Sequence, residues 1–140
     1  MKNQLKLVFL FSLLLLSCEK DKLSETLDFG QFTLDVPAHW KSFTSQGYDS
    51  KTGGITNGKD ELTYDYGWYA YDFKNETSAT HTRTSITIDG NPALLVRPIE
   101  KGKGTIGVFI QVDSQNKFNL SGQDIQDEDT VIKIFESVRF

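Results

Sequence analysis

The stretch that decides the fold is THTRTSITIDGNPALLVRPI, residues 80–99. Side chains of a strand alternate between its two faces, so every second residue from Thr82 to Ile88 falls on one face of a predicted strand. The Asp89-Gly90 pair that follows is a strong signal for a two-residue hairpin turn. A returning strand is therefore predicted over residues 93–99. Pro98 lies near its end, where a missing backbone N–H is tolerated.

Alternation on both sides of this hairpin predicts further strands. An early strand covers residues 32–36, an even alternation runs over 106–112, and a short strand contains Phe118 and Leu120. Residues 44–60 are polar and contain four glycines. This interval predicts a long loop, and a long loop in a compact domain is usually either flexible or functional.

The last element changes period and predicts a helix. Its apolar residues stand at positions i, i+3, i+4 and i+7 of one helical face, and they are Val131, Ile134, Phe135 and Val138. Asp127 is placed to cap the helix start, and acidic residues after it favour the positive end of the helix dipole. We therefore expect an α+β domain over residues 28–140, with an antiparallel sheet of about six to seven strands packed against a C-terminal helix.

The N-terminal segment has the parts of an export signal. Residues 1–17 combine two lysines with ten mostly apolar residues, a run too short for the ~20 residues that span a bilayer. Leu15-Leu16-Ser17-Cys18 resembles the bacterial lipobox, which implies cleavage before Cys18 and acylation of its thiol. Several acyl chains hold a protein stably to a membrane. We expect a signal peptide over 1–17 and a lipidated, solvated tether over 18–27.

The residue after Cys18 bears on the membrane to which the protein is delivered, and the overall charge bears on its class of partner. Glu19 stands where the Asp of an inner-membrane retention signal is found in enteric bacteria, so we expect the outer membrane of the cell envelope, with surface exposure left open. The formal net charge of −4 and the absence of a basic run argue against a nucleic-acid partner.

Three segments resemble one family. FTLDVPAHW at 32–40, IDGNPA at 88–93 and IKIFESVRF at 132–140 are similar to the start, middle and end of PsbP/Mog1-like domains. Small bacterial lipoproteins of this type exist, the DcrB-like ones among them. The resemblance covers about residues 29–140. It implies an antiparallel sheet flanked by helices, and it implies little about activity.

No cofactor, metal ion or catalytic residue is predicted. The segment from Gly53 to Lys59 begins like a phosphate-binding loop, but Asp60 follows where Ser or Thr is needed for magnesium. His39 and His81 are the two histidines, and they lack the paired spacing of a metal site. Carboxylates such as Asp60, Glu61, Asp65 and Asp72 keep an envelope hydrolase or a carbohydrate-active enzyme as an alternative.

Residues 62–73 form an aromatic stretch with six aromatic side chains in twelve residues. The alternation changes phase beside Gly67, which predicts a strand with a bulge there. One phase should be buried, and an exposed second phase would form a binding surface. The candidate surface for a partner or ligand consists of Tyr64, Tyr66, Trp68, Tyr69 and Tyr71.

The leading hypothesis is a non-enzymatic envelope lipoprotein with an accessory or assembly role. It would be held in the membrane by its lipid and would bind a protein, a glycan or another small ligand through the aromatic strand and the 44–60 loop. An immunity-type inhibitor is an alternative within the same binding class. A hydrolase and a structural lipoprotein without a ligand are alternatives outside it.

Overall fold

The computed structural model describes residues 22–140. The expected signal peptide, Cys18 and tether residues 19–21 lie outside the described residues. Within 22–140 the chain forms nine strands and one helix. The elements are β1 (Glu25–Asp28), β2 (Thr33–Val36), β3 (Lys41–Ser45), β4 (Lys51–Thr56), β5 (Glu61–Gly67), β6 (His81–Ile88), β7 (Asn91–Pro98), β8 (Thr105–Gln111), β9 (Lys117–Gln123) and α1 (Glu128–Glu136). In this part of the chain, no helix has the length and apolar character needed to cross a membrane.

Seven strands form one antiparallel sheet in the order β3-β4-β5-β9-β8-β7-β6, and β1 pairs with β2 in a separate two-stranded sheet. The predicted antiparallel sheet with a C-terminal helix is confirmed, an arrangement that fits the expected α+β class. The early strand is present, but it pairs with β1 and lies outside the main sheet. Because β1 begins at Glu25, the folded domain takes in residues that were expected to belong to the tether.

The hairpin predicted from Asp89-Gly90 is confirmed. The backbone φ angles are +49° at Asp89 and +77° at Gly90, as a type I′ turn requires. Ile88 faces Asn91 across the turn, and this register continues to His81 opposite Pro98. Two neighbouring strands of the main sheet are therefore set by a local signal.

The main core lies between one face of the seven-stranded sheet and a cover made of β1, β2 and α1. All four residues of the predicted helical face are buried. Asp127 caps α1, its side chain accepting a hydrogen bond from the Thr130 N–H at 3.2 Å. The C-terminal segment fastens the cover, since the Thr33 and Arg139 N–H groups donate to each other's carbonyl at 2.8 and 2.9 Å.

The prediction of a long loop over residues 44–60 is wrong, because most of this segment belongs to the β3–β4 hairpin. Gly53 and Gly54 are buried in β4. A Cβ atom at Gly53 would lie 2.7 Å from the Phe43 carbonyl oxygen and 2.8 Å from the Tyr64 hydroxyl oxygen. Glycine is needed here because neighbouring groups approach the strand closely.

The prediction of one bulged strand over residues 62–73 is also wrong, because β5 ends at Gly67. Residues 68–80, here called the strap, leave the sheet at the end of β5, an interior strand, and fold across the second face of the sheet. The Phe73 side chain is 1% exposed, and a Cβ atom at Gly107 would lie 2.8 Å from its Cε1 atom. Arg83 Nη1 donates hydrogen bonds to the carbonyls of Phe73 at 2.7 Å and Glu76 at 2.6 Å, which fixes the strap.

A buried ion pair joins the start of α1 to the sheet. Glu128, 1% exposed, accepts a hydrogen bond from Arg97 Nε at 2.5 Å and another from the Gly102 N–H at 2.8 Å. The bond to Glu128 raises the pKa of the Arg97 guanidinium. Asp129 contacts the same guanidinium at 3.2 Å from an exposed position. Glu128 therefore connects β7, the β7–β8 turn and the helix.

We predict that Arg97→Met destabilises the fold by about 3 kcal/mol. The substitution leaves a buried carboxylate without its cation, and the cost falls toward the low end for such pairs because solvent reaches the arginine side. Asp129→Asn is the control and should change stability little, since an exposed partner contributes weakly. Urea denaturation measures both variants, and equal free energies of unfolding would contradict the assignment.

We also predict that Gly107→Ala lowers the free energy of unfolding by about 1–3 kcal/mol, the usual cost of overpacking a filled site. The added methyl group would collide with the Phe73 ring. In a Phe73→Ala background the same substitution should cost much less, because the ring is gone. Thermal denaturation of the two single variants and the double variant gives the coupling, and strictly additive effects would show that the two residues do not touch.

Candidate functional site

Two concave sites lie at opposite ends of β5. The first, here called the aromatic cleft, is where β5 ends at Gly67. The second, here called the strapped groove, lies beside Glu61, where β5 begins, and the strap covers part of it. The candidate residues chosen from the sequence are divided between these two sites and the core, except for Tyr69, which is exposed and lines neither site.

Tyr64 and Tyr66 extend toward the core face of the sheet. Tyr64 is 8% exposed, and its ring packs edge-on against Phe29 and Phe32 with centroids 5.1 and 5.0 Å apart. Tyr66 is half-buried, and its ring lies 6.2 Å from that of Phe140. Burial raises the pKa of both phenols, and for Tyr66 the Asp113 carboxylate adds to the effect. Tyr66 also lines the aromatic cleft, whereas Tyr64 does not.

Trp68 and Tyr69 stand at the start of the strap and are exposed, with 52% and 74% of their surface accessible. Tyr71 lies further along the strap and lines the strapped groove. Its hydroxyl donates to Glu76 Oε2 at 2.8 Å and accepts from the Asn75 N–H at 3.0 Å. Because the chain turns out of the sheet at Gly67, Trp68 and Tyr71 belong to different sites.

The aromatic cleft has a volume of about 700 Å³. Its aromatic residues are Tyr48, Tyr66 and Trp68, and Tyr48 in the β3–β4 turn is fully exposed. The Lys117 ammonium lies 5.4 Å from the centre of the Trp68 ring, a cation–π contact that restrains the indole. Polar side chains complete the lining, namely Gln31, Asp49, Ser50, Lys51, Gln115 and Asn116.

Asp113 fixes the backbone of the β8–β9 turn and the side-chain amide of Asn116. The Asp113 carboxylate accepts hydrogen bonds from the backbone N–H groups of Gln115 and Asn116 at 2.7 and 2.8 Å. It also accepts one from the Asn116 side-chain amide at 2.8 Å. These hydrogen bonds lower the pKa of the Asp113 carboxyl, and the bond from the Asn116 side chain has the largest effect. The turn is thus fixed by an ionised carboxylate at neutral pH.

The sequence interpretation missed Tyr48 and the two amides of the β8–β9 turn. Tyr48 lies in the 44–60 interval, which was expected to be a loop and was proposed as part of the binding surface without naming individual residues. Gln115 and Asn116 lie far from residues 62–73 along the chain, and only the pairing of β5 with β9 brings them together. Proximity across a sheet has no local signal in the sequence.

The strapped groove has a volume of about 650 Å³ and an acidic lining. Its carboxylates are Asp60, Glu61, Glu76 and Asp124, and Lys59 is its one cationic lining residue among the described part of the chain. Two of the carboxylates are oriented, Glu76 by the Tyr71 hydroxyl and Asp124 by the Gly104 N–H at 2.6 Å. Within residues 22–140, no three His, Cys, Asp or Glu side chains are grouped closely enough to hold a metal ion.

The histidines lie outside both sites. The ring nitrogens of His81 are 2.8 Å from Thr80 Oγ1 and 3.0 Å from the Thr105 carbonyl oxygen. His39 is exposed in the turn before Trp40. Over the described residues neither histidine contacts a carboxylate, so no His–Asp pair forms there. The aromatic cleft can stack against a ligand and form hydrogen bonds with it. The strapped groove can attract positive charge.

Sequence comparison does not assign the chain to a known family. No protein-family model matches it, and no curated protein matches it significantly. The resemblance to PsbP/Mog1-like domains therefore stays an expectation. A fold class by itself does not determine activity, so the functional information lies in the residues of the two sites.

Proposed function

We propose that the protein is a non-enzymatic lipoprotein of the bacterial cell envelope that binds a partner protein or a glycan in its aromatic cleft. The observation that carries this proposal is the meeting of exposed Tyr48 and Trp68 with amide side chains around one concavity. An exposed indole next to amide donors and acceptors suits a sugar ring or a peptide, which offers one apolar face and polar edges.

The exposure of these aromatic rings supports a binding role. Water contact with large aromatic surfaces is unfavourable, and Tyr and Trp are enriched where proteins meet their partners. The remaining aromatic residues of the 62–73 stretch are at least half-buried, apart from Tyr69. The exposed rings of Tyr48 and Trp68 at one concavity therefore support a binding site there.

The membrane location is part of the proposal and is supported by the sequence. The lipobox-like residues before Cys18 favour acylation there, and Glu19 favours delivery to the outer membrane. The short segment between Cys18 and β1 would keep the domain beside the lipid surface. The antiparallel sheet with its C-terminal helix is compatible with a PsbP/Mog1-like domain of an accessory or assembly factor.

A hydrolase is the second candidate, and the carboxylates of the strapped groove favour it. Glycoside hydrolysis uses two carboxyl groups on either side of the bond that is cleaved. Asp60, directly before β5, and Glu76, in the strap, line the same groove. The aromatic cleft ranks first because it also accounts for the exposure of Tyr48 and Trp68.

We predict that Tyr48→Ala and Trp68→Ala each reduce capture of the partner roughly tenfold, the order expected for an interface hot spot. The measurement is a pull-down of the tethered protein from native envelopes, with retained proteins identified and retained glycans quantified. Tyr69→Ala is the matched control, because Tyr69 is exposed but lies outside the cleft. Loss of capture in the Tyr69 variant alone, or equal capture by all variants, would rule out the cleft.

We predict that Cys18→Ser moves the protein from the membrane fraction to the soluble fraction, because the acyl chains then have no attachment point. Fractionation of cells followed by detection of the protein gives the distribution. Because the substitution precedes the described residues 22–140, we expect thermal denaturation to be unchanged. Equal retention of the variant in the membrane fraction would contradict a lipid anchor at Cys18.

A further inference from the structure

We propose that β6, an edge strand of the seven-stranded sheet, pairs antiparallel with β6 of a second copy of this chain. The two copies would form a dimer in which one sheet continues across the contact. No residue of β6 lines the aromatic cleft, so the proposal does not depend on the function proposed for that cleft.

Every second residue of β6 directs its backbone N–H and C=O groups away from the sheet. β6 ends the strand order, and β7 is its one neighbour in the sheet. The Ile99 N–H donates to the Thr80 carbonyl at 3.0 Å, so the even-numbered residues of β6 are the ones that bond to β7. The odd-numbered residues therefore face outward. The first of them, His81, donates its N–H to the Thr77 carbonyl of the strap at 2.8 Å.

The next three outward-facing residues, Arg83, Ser85 and Thr87, are here called the free edge. Among the described residues, no backbone group bonds to them on the outward side. Residues 82–85 are exposed on both faces of the strand. A row of unpaired backbone donors and acceptors is a template for another extended strand. The chemistry of the partner is therefore that of a peptide backbone.

β6 lacks the features by which edge strands usually avoid pairing, which are short length, Lys or Pro side chains and bulges. It has eight residues without Lys or Pro, and its register with β7 is unbroken. Its one formal charge, on Arg83, is directed to the strap, where Nη1 donates to the carbonyls of Phe73 and Glu76. The opposite edge strand, β3, has five residues and includes Lys41. Of the two edges, β6 is the one open to pairing.

The free edge complements itself when a two-fold axis passes through Ser85. Ser85 then faces Ser85 of the second copy, and Arg83 faces Thr87 of the second copy on both sides of the axis. Each of these three pairs exchanges two hydrogen bonds, so all outward groups of the free edge are used. Asp89, directly after β6, comes opposite His81 of the second copy, and no like charges face each other. Such a contact uses the same residues in both copies and closes as a dimer.

Apolar side chains beside the free edge support this contact. Ile99 is 63% exposed, and it lines an open groove between β6 and α1 together with the half-buried Leu95 and Ile132. A strand added to β6 would extend the sheet along this groove and remove part of these side chains from water, which is favourable. On the same face, Thr84 would pack against Ile86 of the second copy.

The test is sedimentation equilibrium of the full chain in a density-matched detergent, over a wide range of protein concentration. We expect a reversible monomer–dimer equilibrium. Ser85→Lys should raise the dissociation constant of the dimer by about tenfold or more, because two ammonium groups then face each other at the axis. Ser42→Lys is the matched control, since Ser42 is an exposed serine of the other edge strand, and it should leave the constant unchanged.

A mixture of Ser85→Lys and Ser85→Glu chains gives a second readout. Each variant alone should be monomeric, because like charges face each other at the axis. The mixture should dimerise, because an ammonium group then faces a carboxylate. Mixing would not reverse a loss of folding, and thermal denaturation of each variant confirms that it is folded.

Three outcomes would overturn the proposal. They are a monomer at every concentration, a dimer that Ser85→Lys leaves unchanged, and a mixture of the two charged variants that stays monomeric. A monomeric chain that pairs through β6 with a different protein would belong to the first outcome. Trp68→Ala should leave the dimer unchanged, so failure of the cleft and failure of the dimer are distinguishable.

Discussion

The contact of Phe73 with Gly107 determines the layout of the second face of the sheet. A side chain at position 107 would occupy the space of the Phe73 ring, so the absence of a Cβ atom allows the strap to lie against β8. Once the strap follows this path, Trp68 and Tyr69 are left outside the sheet, and Tyr71 is carried to the groove. Both sites therefore depend on how the chain leaves β5 at Gly67.

The core face shows a different way of covering a sheet. A single helix of nine residues is too short to cover seven strands, and the β1–β2 pair supplies the rest of the cover. The two parts are joined at their ends, since the Asp35 N–H donates to Ser137 Oγ at 2.9 Å. Phe32, Leu34 and Val36 point into this core and are nearly or fully buried. The buried Glu128 then fixes the other end of the helix.

Local signals in the sequence predicted the elements that local physics determines. Asp89-Gly90 specifies its turn by backbone angles, and the spacing from Val131 to Val138 specifies a helical face, so both agree with the structure. Gly53 and Gly54 were interpreted as loop residues, because a glycine needed for close packing looks the same as one needed for flexibility. The strap was missed for a related reason, since alternation continues past Gly67 although the strand does not. The sites depend on pairings such as β5 with β9, which no local pattern specifies.

Rigid surroundings are what the two sites have in common, and they favour binding. Asp113 holds the β8–β9 turn of the aromatic cleft through three hydrogen bonds, and Arg83 holds the strap of the groove through two. Side chains and loops that are ordered before a ligand arrives lose less conformational entropy on binding, so more of the contact energy becomes affinity. The chemistry of the sites nevertheless differs. Stacking in the cleft should be nearly independent of salt, whereas attraction in the acidic groove is screened by it.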